Sequence, residues 1–363
     1  MIRVAMLSFW HVHGKDYARE TEEHPDTEIV AVWDEDPKRG QAEASKRNVP
    51  FYENLDDLLA QPDIDGVVVT APTSMHHEVM TAAARAGKHI FTEKVIAATL
   101  REAEDILNEV KRAGVTFVVA MRRLPMASTL AVKSVIEQGL VGEPTQVLVR
   151  DSHSGILPTK DRPNGMLSDE FLDPALAQGG VLIDLCHSVY LTRYFLGRPE
   201  SITASFGYVT GRNVEDNAVL TMQHANGSIG VAHAGYVTCA APFNIEVHGT
   251  EGSVLYNESG IGEFMVRRAK GMQPSANYAD TGPDGNLYVL STHFDGVDWI
   301  IQEIPTEVTP TPFYQWVEHI QKGTSADENI EIGMDLTALI EAAYTSVETG
   351  QAVRLDDLAG AEG

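Results

Sequence analysis

Cysteine is scarce in this sequence, since Cys186 and Cys239 are the only two among 363 residues. Two isolated thiols do not make the disulfide framework of a small secreted domain, so we expect a cytoplasmic protein. Long apolar runs are also missing, and none approaches the roughly 20 residues that a membrane helix needs. The opening run, IRVAML, has only the length of a strand, and no basic segment precedes it, which argues against a signal peptide.

Basic residues are few as well: 27 lysines and arginines stand against 52 acidic side chains, for a formal net charge of −25. No basic stripe offsets this excess, and a nucleic-acid backbone would be repelled. We therefore expect small molecules or other protein chains as partners.

The first 120 residues alternate short apolar runs with helical patterns. The runs are rich in aliphatic residues and nearly continuous, as in IDGVVVTAP, and they span residues 2–7, 27–34, 64–72, 88–94 and 115–121. Continuous apolar strands separated by amphipathic helices indicate a parallel sheet that is covered on both faces. The pattern predicts a doubly wound, Rossmann-like domain over residues 1–121 that binds NAD.

The pattern of apolar and polar residues changes after Met121. Most later segments alternate polar and apolar residues, and turns such as HANGSIG separate them, which is typical of antiparallel hairpins. Helical patterns interrupt at residues 126–139, 184–197, 312–322 and 332–349, and a segment rich in Gly, Asp and Asn, 269–297, predicts an excursion from the sheet. We expect an α+β domain over residues 122–363, with a large, mostly antiparallel open sheet.

Candidate cofactor contacts lie where the predicted parallel strands end. Asp34 ends the second strand, where an acid in a Rossmann domain reaches the ribose hydroxyls of NAD. Its charge would repel a 2′-phosphate, so NAD is favoured over NADP, and Arg39, five residues on, is expected to lie too far away to reverse this. The simpler interpretation is that Asp34 only starts the turn DEDPKRG.

Two further strand ends carry polar side chains. Thr70 and Pro72 end the third strand and His76 opens the next helix, where it can face a cofactor or lie on the surface. Glu93 and Lys94 end the following strand, and a lysine there can stabilise a developing alkoxide, although most lysines after a strand are merely solvated.

The most informative stretch of the second domain is GGVLIDLCHSVYLTRYFLG, residues 179–197. Asp184 and His187 are three residues apart at a predicted helix start, so they are expected to share a face. Asp184 can be a simple N-cap and His187 an ordinary helical residue. Functionally, Asp184 would hold His187 in one tautomer while His187 takes the proton of a carbinol.

The segments WDEDP, TAPTSMH, AGKHIFTEK, MRRLP, GGVLIDLCH and IEVHGTEGS occur in an order that resembles the Gfo/Idh/MocA oxidoreductases. The resemblance covers most of the chain and implies an N-terminal Rossmann domain, a C-terminal sheet domain, and NAD(P)-dependent chemistry on sugars, inositols and related polyols. It also implies a homodimer or homotetramer that assembles through the C-terminal sheet.

The resemblance assigns roles residue by residue. Lys94 matches the lysine of the family's Glu-Lys-Pro motif, and Asp184 and His187 match its acid and histidine. Arg122 and Arg123 match a basic pair near the substrate, and we add His153 on the following strand. The expected catalytic residues are Lys94, His187 and Asp184. The expected cofactor contacts are Ser8, Trp10, His11, His13, Asp34, Thr70, Pro72, His76, Glu93 and Lys94; the expected substrate contacts are Arg122, Arg123, His153 and His187.

Three features depart from the family pattern. Val95 replaces the proline after the lysine, and the acid and histidine are three rather than four residues apart. The family's three glycines would fall near Ser8, Trp10 and His13. Ser8 can still form a turn and Gly14 can supply a small residue, whereas Trp10 must point away. His11 and His13 would then lie near the nicotinamide and touch the substrate.

Other functions stay open from the sequence alone. NAD could be held tightly for a transient oxidation that drives elimination or glycoside cleavage, or the fold could serve a non-catalytic NAD- or sugar-binding protein. We expect no metal site, because histidines at adjacent or i, i+2 positions of a helix face different ways.

Overall fold

The structure is a computed structural model that describes residues 1–162, 165–239, 241–258, 263–268, 287–288, 303–304 and 309–358. Contacts divide the chain into two compact units. The first unit comprises Met1–Met121, Ser168–Ile183 and Pro310–Glu341, and the second comprises Arg122–Leu167, Asp184–Thr309 and Ala342–Gly363. The first unit thus includes two later segments in addition to residues 1–121, and the division at residue 122 remains a prediction. Most of the predicted excursion at 269–297 lies outside the described residues.

The first unit contains a six-stranded parallel sheet in the order β3-β2-β1-β4-β5-β6. The strands are β1 (Ile2–Leu7), β2 (Thr27–Trp33), β3 (Phe51–Tyr52), β4 (Gly66–Val69), β5 (His89–Thr92) and β6 (Phe117–Val119). The helices between them are α1 (Gly14–Glu23), α2 (Pro37–Arg47), α3 (Leu55–Leu59), α4 (His76–Arg85) and α5 (Leu100–Ala113). This is the strand order of a dinucleotide-binding sheet, so the predicted Rossmann-like fold is confirmed.

The central strands are buried because both faces of the sheet are covered. Every residue of β4 is buried, and so are five of the six residues of β1. Continuous apolar strands of this kind are expected in parallel sheets covered on both faces. The carboxyl ends of β1, β2, β4 and β5 therefore present their following turns at one edge of the sheet.

The second sheet has eight strands in the order β13-β12-β11-β7-β10-β9-β8-β16, and all its pairings are antiparallel except that of β7 with β10. Its strands are β7 (Pro144–Ser152), β8 (Ser201–Gly207), β9 (Asn217–Gln223), β10 (Ile229–Gly235), β11 (Asn244–Gly249), β12 (Gly252–Asn257), β13 (Glu263–Arg268) and β16 (Val353–Arg354). A separate pair is formed by β14 (Leu287–Tyr288) and β15 (Glu303–Ile304). The predicted, mostly antiparallel sheet is confirmed.

The remaining helices are α6 (Ala127–Glu137), α7 (Pro174–Ala177), α8 (Val181–Asp184), α9 (His187–Leu196), α10 (Pro312–Lys322), α11 (Asp327–Thr349) and α12 (Leu355–Leu358). One correction concerns residues 184–197, which were predicted as one helix. Asp184 ends α8 and His187 begins α9, with a turn between them. Among the described residues, no helix is long and apolar enough to cross a membrane.

Candidate active site

The turn between β1 and α1 keeps the backbone shape of a glycine-rich turn with few glycines. Ser8 has φ of 76°, a left-handed conformation that glycine usually supplies. Gly14 opens α1, and a Cβ there would lie 2.9 Å from Thr70 Oγ1 and 3.3 Å from Phe9 Cα. A small residue is therefore required at Gly14 for the helix to approach the sheet. The turn thus fits a bound dinucleotide at these two positions, and the N–H groups at the start of α1 can hold its pyrophosphate.

Trp10 occupies the middle of this turn and packs on an aromatic residue far along the chain. Its ring stacks on Phe171 with centroids 4.9 Å apart and an interplanar angle of 19°. Phe171 lies in the 168–183 segment of the first unit, and His11 also contacts its ring, at 5.3 Å. The indole Nε1 is buried, and no acceptor among the described residues bonds it.

The Asp34 side chain is buried, and neighbouring residues of the protein occupy its hydrogen-bonding positions. Its side chain is 0% exposed, and its two oxygens accept hydrogen bonds from the amides of Phe9 and Asp36, each at 2.9 Å, and from Arg39 at 2.7 and 3.0 Å. Four donors occupy the acceptor sites that a carboxylate offers. The expectation that Arg39 would lie too far away is therefore wrong. Asp36 caps α2, and this places Arg39 in the first turn of the helix, within reach of Asp34.

Glu35 lies next to Asp34 and is less enclosed. Its carboxylate also accepts a hydrogen bond from the Ser8 hydroxyl and pairs with Arg39. Burial, and then the nearby charge of Asp34, raises the pKa of Glu35, while the Ser8 bond opposes this. The side chains of Glu35 and Arg39 are 20% and 23% exposed, so this pair has surface available to a ligand at the end of β2.

A cluster of five residues, here termed the loop cluster, joins the β1–α1 turn to the residues after β5: His11, His13, Tyr17, Glu93 and Lys94. Glu93 Oε1 lies 3.0 Å from His13 Nδ1 and 3.7 Å from His11 Nδ1, and it accepts a hydrogen bond from the Tyr17 hydroxyl. Its Oε2 accepts the Lys94 amide at 3.0 Å and lies 3.8 Å from the Lys94 ammonium.

Charge is concentrated in the loop cluster. Burial alone would raise the pKa of Glu93, but the attraction of His11, Lys94 and His13 holds it well below its ordinary value. The expectation that His11 and His13 face different ways is wrong, because both precede α1 and their rings lie 5.0 Å apart. The carboxylate is therefore ionised beside two imidazoles and an ammonium.

The turn after β4 forms hydrogen bonds with the β1–α1 turn, which carries two histidines of the loop cluster. Thr70 Oγ1 donates to the Ser8 carbonyl at 2.6 Å, and the Thr70 carbonyl accepts the His11 amide at 3.0 Å. Buried Pro72 precedes the 3₁₀ turn Thr73–Met75, and His76 begins α4. His76 is buried, with Nδ1 2.9 Å from the Val95 carbonyl and Nε2 3.1 Å from the Ala71 carbonyl. It thus bridges the ends of β4 and β5 and is not a surface residue.

In the second unit, Asp184 and His187 have different partners. The Asp184 carboxylate accepts the Tyr236 hydroxyl at 2.7 Å, whereas His187 Nδ1 lies 3.8 Å from Asp151 Oδ2. The premise that the two residues share a helix face is wrong, because a turn separates their helices. Burial, and then the Asp184 charge, raises the pKa of Tyr236 well above its ordinary value, so the phenol remains a donor.

Asp151, at the carboxyl end of β7, was not among the predicted site residues. It is buried, and Arg123 Nη2 lies 3.7 Å from its carboxylate. Burial raises the pKa of Asp151, while the positive charge of Arg123 and then His153 opposes the rise. The sequence feature that could have identified Asp151 is its position near the end of β7, two residues before the predicted substrate contact His153. Since Asp151 approaches both His187 and Arg123, it joins two of the predicted substrate contacts.

The remaining predicted substrate contacts of the second unit are Arg122, Arg123 and His153. Arg123 donates to Glu258 at 3.0 Å and covers the Phe243 ring at 4.0 Å. His153 Nδ1 accepts the Gly155 amide at 2.9 Å. Arg122 is half-buried at the start of the second unit.

Family models match most of the described fold. One, described as the oxidoreductase family with an NAD-binding Rossmann fold, matches residues 2–121, and one for the GFO/IDH/MocA C-terminal domain matches residues 129–255. Together they cover more than half of the 363 residues. The first unit therefore has the core of an NAD-binding domain.

Curated relatives are similar at moderate identity. The chain is 28% identical to 1,5-anhydro-D-fructose reductase of Ensifer adhaerens over 253 residues, covering 67% of this chain and 74% of that protein. It is 27% identical to inositol 2-dehydrogenase of Rhizobium meliloti over 354 residues, covering 95% and 97%. A solved structure of levoglucosan dehydrogenase in complex with NADH and levoglucosan matches with a TM-score of 0.76 at 20% identity, covering 98% and 99%. At that identity the match shows the fold alone.

Proposed function

Because the chain belongs to the Gfo/Idh/MocA family of oxidoreductases, we propose that it oxidises or reduces a CH–OH group of a sugar, an inositol or a related polyol with NAD. The observation that carries this proposal is Lys94, an ammonium held inside the protein at the carboxyl end of β5. Open α/β sheets bind their ligands at that edge. The relatives named for an anhydro sugar and an inositol support the substrate class.

The residues of the first unit would hold the cofactor and polarise the substrate. NAD, when bound, would accept a hydride from the carbinol carbon. The β1–α1 turn offers the amides at the start of α1 to the pyrophosphate. Because the Asp34 carboxylate is already fully hydrogen-bonded, contact with the adenosine ribose falls to Glu35 and Arg39. Lys94 polarises the hydroxyl oxygen and stabilises the alkoxide character that develops there.

The residues of the second unit would handle the proton. In the oxidative direction, His187 takes the hydroxyl proton as the C–H electron pair leaves the carbinol carbon as hydride. Asp151 Oδ2 lies 3.8 Å from His187 Nδ1, too long for a hydrogen bond, so its negative charge would stabilise the imidazolium form of His187. The sequence had suggested Asp184 as the partner of His187; Asp184 accepts a hydrogen bond from the Tyr236 hydroxyl.

The test is a screen of sugars and polyols with NAD, read at the nicotinamide absorbance, followed by Lys94→Met and His187→Asn. Each variant should lower kcat/KM by about 10²–10⁴-fold, because each removes a group to which the proposal gives a part in the hydroxyl chemistry. If both groups serve one substrate molecule, the double variant should lose far less than the product of the two single losses.

Lys111→Met, on the exposed part of α5, is the matched control and should retain activity. Circular dichroism checks that each variant folds. If NAD stays bound to the protein through gel filtration and returns to its starting redox state after turnover, the reaction is a transient oxidation and not a net dehydrogenation. Absence of NAD binding at millimolar concentration would contradict the proposal and favour a non-catalytic binding protein.

A further inference from the structure

His11, His13 and Glu93 bring three metal-ligating atoms together in the interior of the first unit. Their ligand atoms all lie within 4.8 Å of one another. Glu93 Oε1 is 3.0 Å from His13 Nδ1 and 3.7 Å from His11 Nδ1. In a tetrahedral zinc site with bonds of about 2.0–2.2 Å, neighbouring ligand atoms are about 3.3–3.6 Å apart. The two Glu93–histidine distances lie on either side of this spacing, so side-chain movements would be needed to admit a cation.

We propose that these three residues form a binding site for a divalent metal ion of the zinc class. Two imidazoles and one carboxylate suit Zn²⁺ and the late first-row metals, and three protein ligands leave a fourth position for water or another ligand. The proposal does not depend on the oxidoreductase function, since binding is a property of the first unit without cofactor or substrate.

The hydrogen bonds around the site already orient its ligands. His11 Nδ1 accepts the His13 amide at 3.2 Å, so this nitrogen is unprotonated in that contact and a metal ion bound to it would replace the amide hydrogen bond. Glu93 Oε2 is held by the Lys94 amide, which leaves Oε1 directed at the imidazoles. Tyr17 donates to that same oxygen and acts as an outer-shell partner.

His13 Nδ1 lies 3.0 Å from Glu93 Oε1, and Tyr17 donates to the same oxygen, so a bound ion would replace existing contacts of these ligands. The Lys94 ammonium lies 3.8 Å from Glu93 Oε2, and its positive charge repels a metal ion bound to the same carboxylate. Because of this repulsion, we expect tight metal binding only when both imidazoles act as ligands.

The bound ion would fix the glycine-poor turn. It would link residues 11 and 13 of the β1–α1 turn directly to Glu93 beyond β5, in addition to the backbone bond between His11 and Thr70. A metal ion that links residues about 80 positions apart restricts the unfolded chain, so we expect its binding to stabilise the turn.

The experiment is a titration of tag-free, chelator-treated full-length protein with Co²⁺, read as visible absorption, and with Zn²⁺ by equilibrium dialysis. Neither titration contains NAD or substrate. We expect one equivalent per chain and a Zn²⁺-dependent rise in Tm. His11→Ala and His13→Ala should each abolish stoichiometric binding, and Tyr17→Phe should weaken it by about 10- to 100-fold, as for an outer-shell partner.

His77→Ala is the matched control, because His77 also lies beside a carboxylate, Asp105 at 3.6 Å, but on the surface. It should bind like the wild type. If a histidine variant fails to fold, Glu93→Gln keeps the shape and removes the charge, and it should also lose binding. The site is overturned if the wild-type protein binds no metal ion, or if His77→Ala loses metal binding as completely as the His11 and His13 variants do. His13, Glu93 and Tyr17 would then form only a hydrogen-bonded network.

Discussion

At the scale of single residues, the carboxylate of Asp151 is held where burial opposes its charge. Burial raises its pKa, and Arg123 at 3.7 Å offsets only part of this cost. A carboxyl group whose pKa is raised on folding binds protons more readily in the folded than in the unfolded state. Its contribution to stability is therefore lost as the pH rises above the unfolded value, near 3.9.

Asp151→Asn should consequently make the protein more stable at pH 7 and less active. The amide removes the buried charge, so the unfolding free energy should rise, and the gain over wild type should shrink as the pH is lowered toward 4. If the Asp151 charge stabilises the imidazolium form of His187, kcat should fall by about 10- to 100-fold with little change in KM, because the protonated ring loses its neighbouring negative charge. Urea unfolding at several pH values and steady-state kinetics measure the two effects. A variant with unchanged kcat would show that Asp151 has only a structural role.

The position of a residue along a strand was predictable from the sequence. Lys94 and Asp34 follow strand ends, and the structure places both at the expected edge of the sheet. The partners of a side chain were harder to predict. Three-residue spacing suggested that Asp184 and His187 share a helix face, but a turn separates their helices, and Asp151, 36 residues before His187, also lies 3.8 Å from its ring.

At the scale of elements, the β1–α1 turn depends on a glycine that the family pattern does not place there. Ala is normally favoured over Gly within a helix by about 1 kcal/mol. At Gly14 the sign should reverse, because the new Cβ would lie 2.9 Å from Thr70 Oγ1. Thr70 cannot move away freely, since the same hydroxyl donates to the Ser8 carbonyl at 2.6 Å.

Gly14→Ala should therefore destabilise the protein by about 1–3 kcal/mol, the usual cost of overpacking. It should also weaken NAD binding, because α1 must shift away from the turn that holds the pyrophosphate. Lys15→Ala, one residue later and exposed, is the control and should affect neither quantity strongly. Chemical unfolding and a fluorescence titration with NADH measure both. A stabilising Gly14→Ala would contradict the close packing described here.

Elements were predictable where their pattern is local. The continuous apolar strands are encoded within a few residues, so five of the six parallel strands were predicted, whereas β3, only two residues long, was not. The return of Ser168–Ile183 to the first unit was not predictable, because its contact is between Phe171 and Trp10, 161 positions apart, and no periodicity marks it. Trp10 gave the only hint, since a large ring in a turn needs a partner.

At the scale of the whole molecule, the dominant property is the excess of acidic over basic side chains, 52 against 27. Ion pairs such as Arg3–Asp63 at 2.7 Å use some of the basic groups, but exposed pairs contribute only about 0–1 kcal/mol each. The unpaired acids repel one another in the compact state and less so in the expanded chain. Net repulsion, and not the loss of ion pairs, should therefore decide how stability responds to salt.

Raising NaCl from about 0.1 M to about 1 M shortens the Debye length from about 10 Å to about 3 Å, so Tm at pH 7.5 should rise by a few degrees. The same salt series near pH 5, close to the sequence pI of about 4.8, is the control. There the net charge is small, and the rise should largely disappear. Differential scanning fluorimetry measures both series in the absence of NAD and metal ions. A Tm that falls with salt at pH 7.5 would mean that screened ion pairs outweigh the repulsion among the 52 acidic groups.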